Sequence, residues 1–239
     1  MIKAVLFDLD GTLLHVDQQE FVTEYLKLLA PRMAHLMDPR QFVHDLMAST
    51  MVMTSDRDPS RTNEEVFWSD FLPRVGVPAE QLMPILDDFY EREFGQVRWV
   101  AKADPAARQA VEAVLARGLD AVVATNPVFP RSAIRQRLEW AGVADLPFRL
   151  VTSFEDFHYC KPNPEYYLEI AERIGHRPEE CLMVGNDVEE DLAAASLGAR
   201  TYLVQDHLIN PRGIEPKADH TGTLAEMAAF LGRAEFGEL

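Results

Sequence analysis

Ile2-Lys3-Ala4-Val5-Leu6-Phe7 is a short, largely apolar run that breaks off into Asp8-Leu9-Asp10-Gly11-Thr12. Its β-branched and aromatic residues, with no apolar/polar alternation, predict a strand buried on both faces. Two carboxylates one residue apart at the end of such a strand are costly. Unit charges about 4 Å apart repel by roughly 4 kcal/mol at an effective dielectric of 20. A fold keeps that pair where a cation, a proton or a reacting group uses it. Asp8 and Asp10 are therefore the first candidate site residues.

Beyond residue 100 the signals alternate. Asp104-Pro105 caps a helix with Val111, Val114 and Leu115 on its apolar stripe, and Gly118 ends it. Residues 119–124 (LDAVVA) read as a strand running into Thr125-Asn126-Pro127. A helix with Ile134, Leu138 and Trp140 follows and stops near Gly142, and 148–152 is a short strand. Asn163-Pro164 opens a helix with Tyr167, Ile170, Ala171 and Ile174 on its buried face and Gly175 as its stop. Residues 181–184 (CLMV) form a strand ending at Gly185-Asn186-Asp187, 192–197 a helix closed by Gly198, and 201–204 a last strand. Five strands alternating with helices predict an α/β fold, a doubly wound parallel five-stranded sheet.

Residues 15–100 read differently. Phe21, Tyr25, Leu28 and Leu29 fall at helical spacing, as do Phe42, Leu46 and Met47, and Leu82, Ile85, Leu86 and Phe89. The polar stretch 55–61 (SDRDPSR) reads as a loop. The segment is expected to be an all-helical domain (15–100) inserted into a core of 1–14 and 101–239, with a frayed tail from Ala234.

Composition narrows the partners. The 239 residues hold 23 Lys plus Arg against 39 Asp plus Glu, a formal net charge of −16. Such a balance argues against nucleic acid or an anionic membrane, which reward cationic surfaces. It leaves room for a small anionic substrate held by local positive charge or a metal. Two cysteines, Cys160 and Cys181, lie far apart without metal-ligand spacing, as in a reduced intracellular protein. No signal peptide and no run of about 18 apolar residues is readable, so the chain is expected to be cytoplasmic.

In an open parallel sheet, ligands bind at the carboxyl edge of the strands. Asp8 and Asp10 follow the first strand there, Thr125 and Asn126 the second, Lys161 the third after a loop, and Asp187 and Asp191 the fourth. That inventory suits phosphoryl transfer: one carboxylate attacks phosphorus, others hold a divalent cation, and an amine and a hydroxyl hold the non-bridging oxygens.

These pieces, DLDGT at 8–12, VVATN at 122–126, KPNPEYY at 161–167 and VGNDVEED at 184–191, resemble the haloacid dehalogenase superfamily. The resemblance covers roughly residues 1–14 and 100–205 and implies a Rossmann-like core with a helical cap. It implies Asp8 as nucleophile, forming an aspartyl-phosphate, and Asp10 as general acid and then base. It further implies a Mg²⁺ held by Asp8, the Asp10 backbone and Asp187, with Asn186 as the alternative ligand and Asp191 in support. Thr125, Asn126, Lys161 and Gly11 would bind phosphate. Asp10 sets the subclass, since phosphatases and phosphomutases of this superfamily carry Asp there and the dehalogenases do not.

The expected function is thus a Mg²⁺-dependent phosphomonoester hydrolase acting on a small phosphorylated metabolite, as a monomer or homodimer. A sugar phosphomutase, a 2-haloacid dehalogenase and a non-catalytic binding protein on the same fold are the alternatives. Only 35 residues separate Thr125 from Lys161, too few for a second cap, and a cap over the sheet edge excludes water. His158 and Tyr159 read as packing or surface, Cys160 and Cys181 as bystanders, and Met47, Met51 and Met53 as cap core or interface. His15 and Gln18 read as hinge residues, with substrate contact as the sharper alternative. Glu189-Glu190 reads as a solvated first turn of a helix.

Overall fold

A computed structural model describes residues 1–233; the tail from Ala234, expected above to be frayed, lies outside the described residues. The opening run forms β1 (Ala4–Phe7), all four residues buried. Then come a two-residue strand β2 (His15–Val16), α1 (Gln18–Leu29), α2 (Pro39–Ser55), α3 (Asn63–Val75) and α4 (Ala79–Arg92). The chain re-enters the sheet region through β3 (Ala101–Lys102), α5 (Pro105–Leu115), β4 (Asp120–Val123), α6 (Arg131–Ala141) and β5 (Leu150–Val151). It continues with α7 (Pro164–Ile174), β6 (Cys181–Gly185), β7 (Arg200–Val204), β8 (His220–Gly222) and α8 (Leu224–Gly232).

The sheet runs β5-β4-β1-β6-β7-β8, with every pair parallel. The five strands expected from sequence are present, and β8 adds a sixth at the edge. Its three residues, His-Thr-Gly, carry no apolar run, so nothing in the local sequence announced it. Residues 191–197 turn as a 3₁₀ helix where an ordinary helix was expected.

β1 explains the double winding. Val5 and Phe7 join one apolar cluster, which includes Val111, Ile134 and Leu138 from α5 and α6. Ala4 and Leu6 face another, with Tyr166 and Ile170 from α7. Successive strand side chains point to opposite faces, so a strand covered on both sides must be apolar throughout.

The helical segment is anchored by capping. Asp17, Asp38 and Thr62 each accept backbone N–H groups at the starts of α1, α2 and α3, worth about 1 kcal/mol apiece. Its core is aromatic: Phe42 meets Phe71 edge-on at 5.8 Å, and Tyr25 meets Phe89 at 5.9 Å. The segment opens and closes on an antiparallel ribbon, His15 opposite Lys102 and Val16 opposite Ala101. This ribbon departs from the all-helical expectation, because two residues offer no period to read. No helix among the described residues is long and apolar enough to cross a membrane.

Candidate active site

Three strand ends meet at one point. The Asp8 N–H donates to the Val184 carbonyl (2.8 Å), and the Ala124 N–H donates to the Phe7 carbonyl (2.7 Å). The ladder thus holds the segments carrying Asp8, Thr125 and Asn186 side by side. Two glycines permit the approach. A Cβ on Gly185 would lie 2.1 Å from the Asp191 carboxylate. Gly11 sits at φ +83°, where a Cβ would meet Asn186 at 2.3 Å, a conformation and a clearance that only glycine supplies.

Lys161 is the centre of the charge network. Its Nζ donates to Asp8 Oδ1 (2.8 Å) and Asp191 Oδ1 (2.6 Å), and its side chain is almost wholly buried. Burial works against the ammonium, but Asp191 and Asp8 outweigh it and hold its pKa well above the ordinary lysine value. Burial, with Asp191 and Asp10 adding to it and Lys161 opposing, pushes the Asp8 carboxyl up to about 7. Asp191 Oδ2 accepts from the Asp187 N–H (2.8 Å), folding the fourth loop around it.

Asp10 pairs through Oδ2 with Nη1 of Arg137 on α6, while its Oδ1 is buried without a partner among the described residues. Burial raises the Asp10 pKa, and Arg137 opposes that rise. Arg137 is fully buried, with Phe129 4.6 Å and Phe21 5.5 Å from its guanidinium carbon. Sequence reasoning missed this residue. The available signal was a cation at position 137 among Ala133, Ile134, Leu138, Trp140 and Ala141, all of which face the core.

The Thr125 hydroxyl takes no hydrogen bond among the described residues and borders the cleft, while its carbonyl accepts from Thr152 Oγ1 (2.6 Å) and Tyr166 OH (2.8 Å). Asn126 braces three segments: Oδ1 accepts from the Lys161 N–H (3.2 Å), and Nδ2 donates to Glu190 (3.1 Å). Glu190 borders the cleft, unlike the solvated face expected of it, and burial pushes its carboxyl up to about 8. Glu189 does face outward, paired with Arg212.

The fourth loop carries both candidate metal ligands. Asn186 is committed at both ends: Oδ1 accepts from Thr12 Oγ1 (3.0 Å) and Nδ2 donates to the His207 carbonyl (2.6 Å). Among the described residues Asp187 uses only Oδ1, which accepts from the Glu189 and Glu190 N–H groups (2.7 and 2.8 Å). The Gly11 N–H is taken by the Leu14 carbonyl (2.8 Å). That bond closes the turn that follows Asp10.

Other expectations are placed as follows. Gln18 borders the cleft, whereas His15 pairs with His207 (3.1 Å). His158 bonds Glu169 (2.8 Å) away from the cleft. Both cysteines are free and buried, and burial pushes the Cys181 thiol up to about 12. Met53 is buried, while Met47 and Met51 are exposed.

The cleft gathers Asp8, Asp10, Asp187, Glu190 and Asp191 against Lys161 and Arg137. Five carboxylates facing two cations suit a divalent cation. No group of three or more metal-ligating side chains is preassembled among the described residues. Mg²⁺ needs none, since it binds through one or two carboxylates with substrate oxygens and water. Asp8 and Asp187 could supply those carboxylates.

Over 123 residues the chain is 31% identical to a phosphoglycolate phosphatase of Salmonella typhimurium, a match spanning 51% of this chain and about half (48%) of that protein. The fold resembles a HAD phosphatase from Thermococcus onnurineus, with a TM-score of 0.59 and 21% identity over 97% of this chain and 98% of that one. It resembles equally an L-2-haloacid dehalogenase from Xanthobacter autotrophicus, at a TM-score of 0.59 and 18% identity over the same shares. The haloacid dehalogenase-like hydrolase model matches residues 2–198, and with Asp8, Lys161 and Asp191 joined in one network at the ends of its strands, the chain belongs to that hydrolase family.

Proposed function

We propose that the protein is a Mg²⁺-dependent phosphomonoester hydrolase that works through an aspartyl-phosphate on Asp8, with residues 1–14 and 101–239 as its core and 15–100 as its cap. The observation that carries this reading is the placing of Asp10. Its Oδ2 is held by Arg137, and its buried Oδ1, two residues beyond Asp8, has no partner among the described residues. A dehalogenase needs no proton donor for its leaving group; a phosphatase does.

Asp8 attacks phosphorus, and the bond from phosphorus to the leaving oxygen breaks as Asp10 protonates that oxygen. Asp10, now ionised, takes a proton from water, which attacks the phosphorus and releases Asp8 with inorganic phosphate. Lys161 and the Thr125 hydroxyl hold the non-bridging oxygens, with Asn126 fixing the Lys161 loop. Asp8, the Asp10 main-chain carbonyl and Asp187 would hold Mg²⁺, and Asp187 is favoured over Asn186 because the Asn186 amide is already committed. The bound ion would offset the negative charge gathered between Asp8 and the phosphoryl group. Asp191 supports the site by orienting Lys161 and the fourth loop.

The substrate is a small phosphorylated metabolite reached beneath the cap, and the two reduced, buried cysteines support a cytoplasmic setting. The test is phosphate release from a panel of phosphomonoesters with Mg²⁺, with a chelator, and with Asp8→Asn. Mg²⁺-dependent release lost in Asp8→Asn supports the reading. Silence on every ester, followed by turnover of a sugar phosphate with its bisphosphate activator, would replace it with a phosphomutase.

A further inference from the structure

Beside the catalytic cleft lies a second and much larger space. The cleft itself encloses only about 50 Å³, whereas the neighbouring cavity encloses about 480 Å³, within the roughly 300–1,000 Å³ typical of sites for organic ligands. The two share Gln18, Val22, Val128 and Phe129 as walls. A phosphoryl group held at Asp8 would therefore project its alcohol past these four residues into the cavity.

The walls state what that alcohol must be. Tyr25, Phe67, Trp68, Phe71, Phe129 and Phe154 line the cavity with aliphatic residues between them. Its ionisable groups are Glu64, Asp87, Glu91, Glu155 and two tyrosines, and no Lys, Arg or His borders it among the described residues. Burial, followed by the charge of Glu155, raises the Glu64 pKa, so the region already resists further negative charge. The Tyr25 and Tyr90 hydroxyls share one hydrogen bond at 2.8 Å, which leaves a single O–H donor and no cation on that wall.

We propose that the substrate is a phosphate monoester of a bulky apolar alcohol, aromatic or long aliphatic, bearing no anionic group besides the phosphate. This rests on the phosphatase reading and sets the chain apart from an enzyme for a small phosphorylated carboxylic acid. An apolar body removes surface from water against the aromatic walls, whereas a carboxylate there would lie near the half-buried Glu64 and Glu155, with Asp87 and Glu91 at the exposed rim, and would find no cation among the lining residues.

The test compares 2-phenylethyl phosphate, its para-carboxylate analogue, phosphoglycolate and acetyl phosphate. A methylene's worth of apolar contact is worth about 10–200-fold in specificity, so kcat/KM for 2-phenylethyl phosphate is expected to exceed that for phosphoglycolate by about 100-fold. Met47→Arg, a half-exposed wall position, is expected to raise the ratio of carboxylated to plain phenylethyl ester by about tenfold. Turnover of acetyl phosphate without preference for the apolar ester, or a preference for phosphoglycolate, overturns the proposal and leaves the phosphatase reading standing. Failure on the three esters and on acetyl phosphate overturns that reading instead. The cavity is then tested by tryptophan fluorescence, with Trp68 in its wall. Tighter binding of 2-naphthylmethylphosphonate than of phosphonoacetate supports it, and equal or weaker binding refutes it.

Discussion

Arg137→Met tests the least expected part of the site. The guanidinium is fully buried, paired with Asp10 and flanked by Phe21 and Phe129. Methionine fills a comparable space with apolar atoms but leaves Asp10 buried without its countercharge, and with Oδ1 already unpartnered. Breaking a buried ion pair from one side costs about 3–5 kcal/mol. At about 2–4 °C per kcal/mol for a chain of this size, Tm should fall by roughly 6–20 °C. The double variant Arg137→Met/Asp10→Asn removes the stranded charge and should recover most of that loss. The pH dependence has a definite sign. Burial already raises the Asp10 pKa and Arg137 opposes the rise, so the single variant raises it further above its unfolded value. The folded state then binds more protons than the unfolded one, and stability falls as pH rises between those two values. The Arg137→Met deficit should therefore be smaller at pH 5 than at pH 8. Calorimetric Tm values for wild type, both single variants and the double variant decide the matter. A single variant as stable as wild type, or a double variant that loses the sum of the two, refutes the view that Arg137 compensates Asp10.

Asp8→Asn should abolish phosphate release while the protein stays folded by circular dichroism; activity above a few per cent would remove the nucleophile assignment. Asp10→Asn should lower kcat by about 10²–10⁴-fold, and an unchanged kcat would place the proton donor elsewhere. Asp187→Ala should raise the Mg²⁺ concentration needed for half-maximal activity more than Asn186→Ala does, and the reverse order would make Asn186 the ligand. Asn186→Ala should instead lower Tm, because it strands Thr12 Oγ1 and the His207 carbonyl. Burial pushes Glu190 up to about 8, so its contribution is fully present below its unfolded pKa and lost as pH rises through about 8. Glu190→Gln should flatten that decline in a Tm-versus-pH series, and an unaltered slope would show that Glu190 does not titrate there.

What the sequence made legible, and what it hid, follows from the range of each interaction. β1 was readable because a strand covered on both faces must be apolar at every position, and its end was marked by two carboxylates. The starts of α5 and α7 were readable because Asp104 caps the Ala106 N–H and Pro105 and Pro164 stand at the first helical positions, all within one turn. β8 and the β2–β3 ribbon were not, since three or two residues carry no period and their pairing partners lie far off in sequence: 18 residues away for β8, and 85–87 for the ribbon. The same limit governs the site. Asp8, Asp10 and Thr125 follow strand ends directly, so topology brings them to one edge, and Lys161 reaches that edge from the loop between β5 and α7. Arg137 stands in mid-helix, and only the packing of α6 behind β1 turns it toward Asp10. Glu190 was misread because an acid in a first helical turn usually faces water; here the Asn126 amide draws it into the cleft. Neighbouring charges in this cleft are thus set by helices packed behind the sheet as much as by the loops that carry the recognisable motifs. It is the pairing of Asp10 with Arg137, which no motif records, that leaves one oxygen of the proposed proton donor unpartnered beside Asp8.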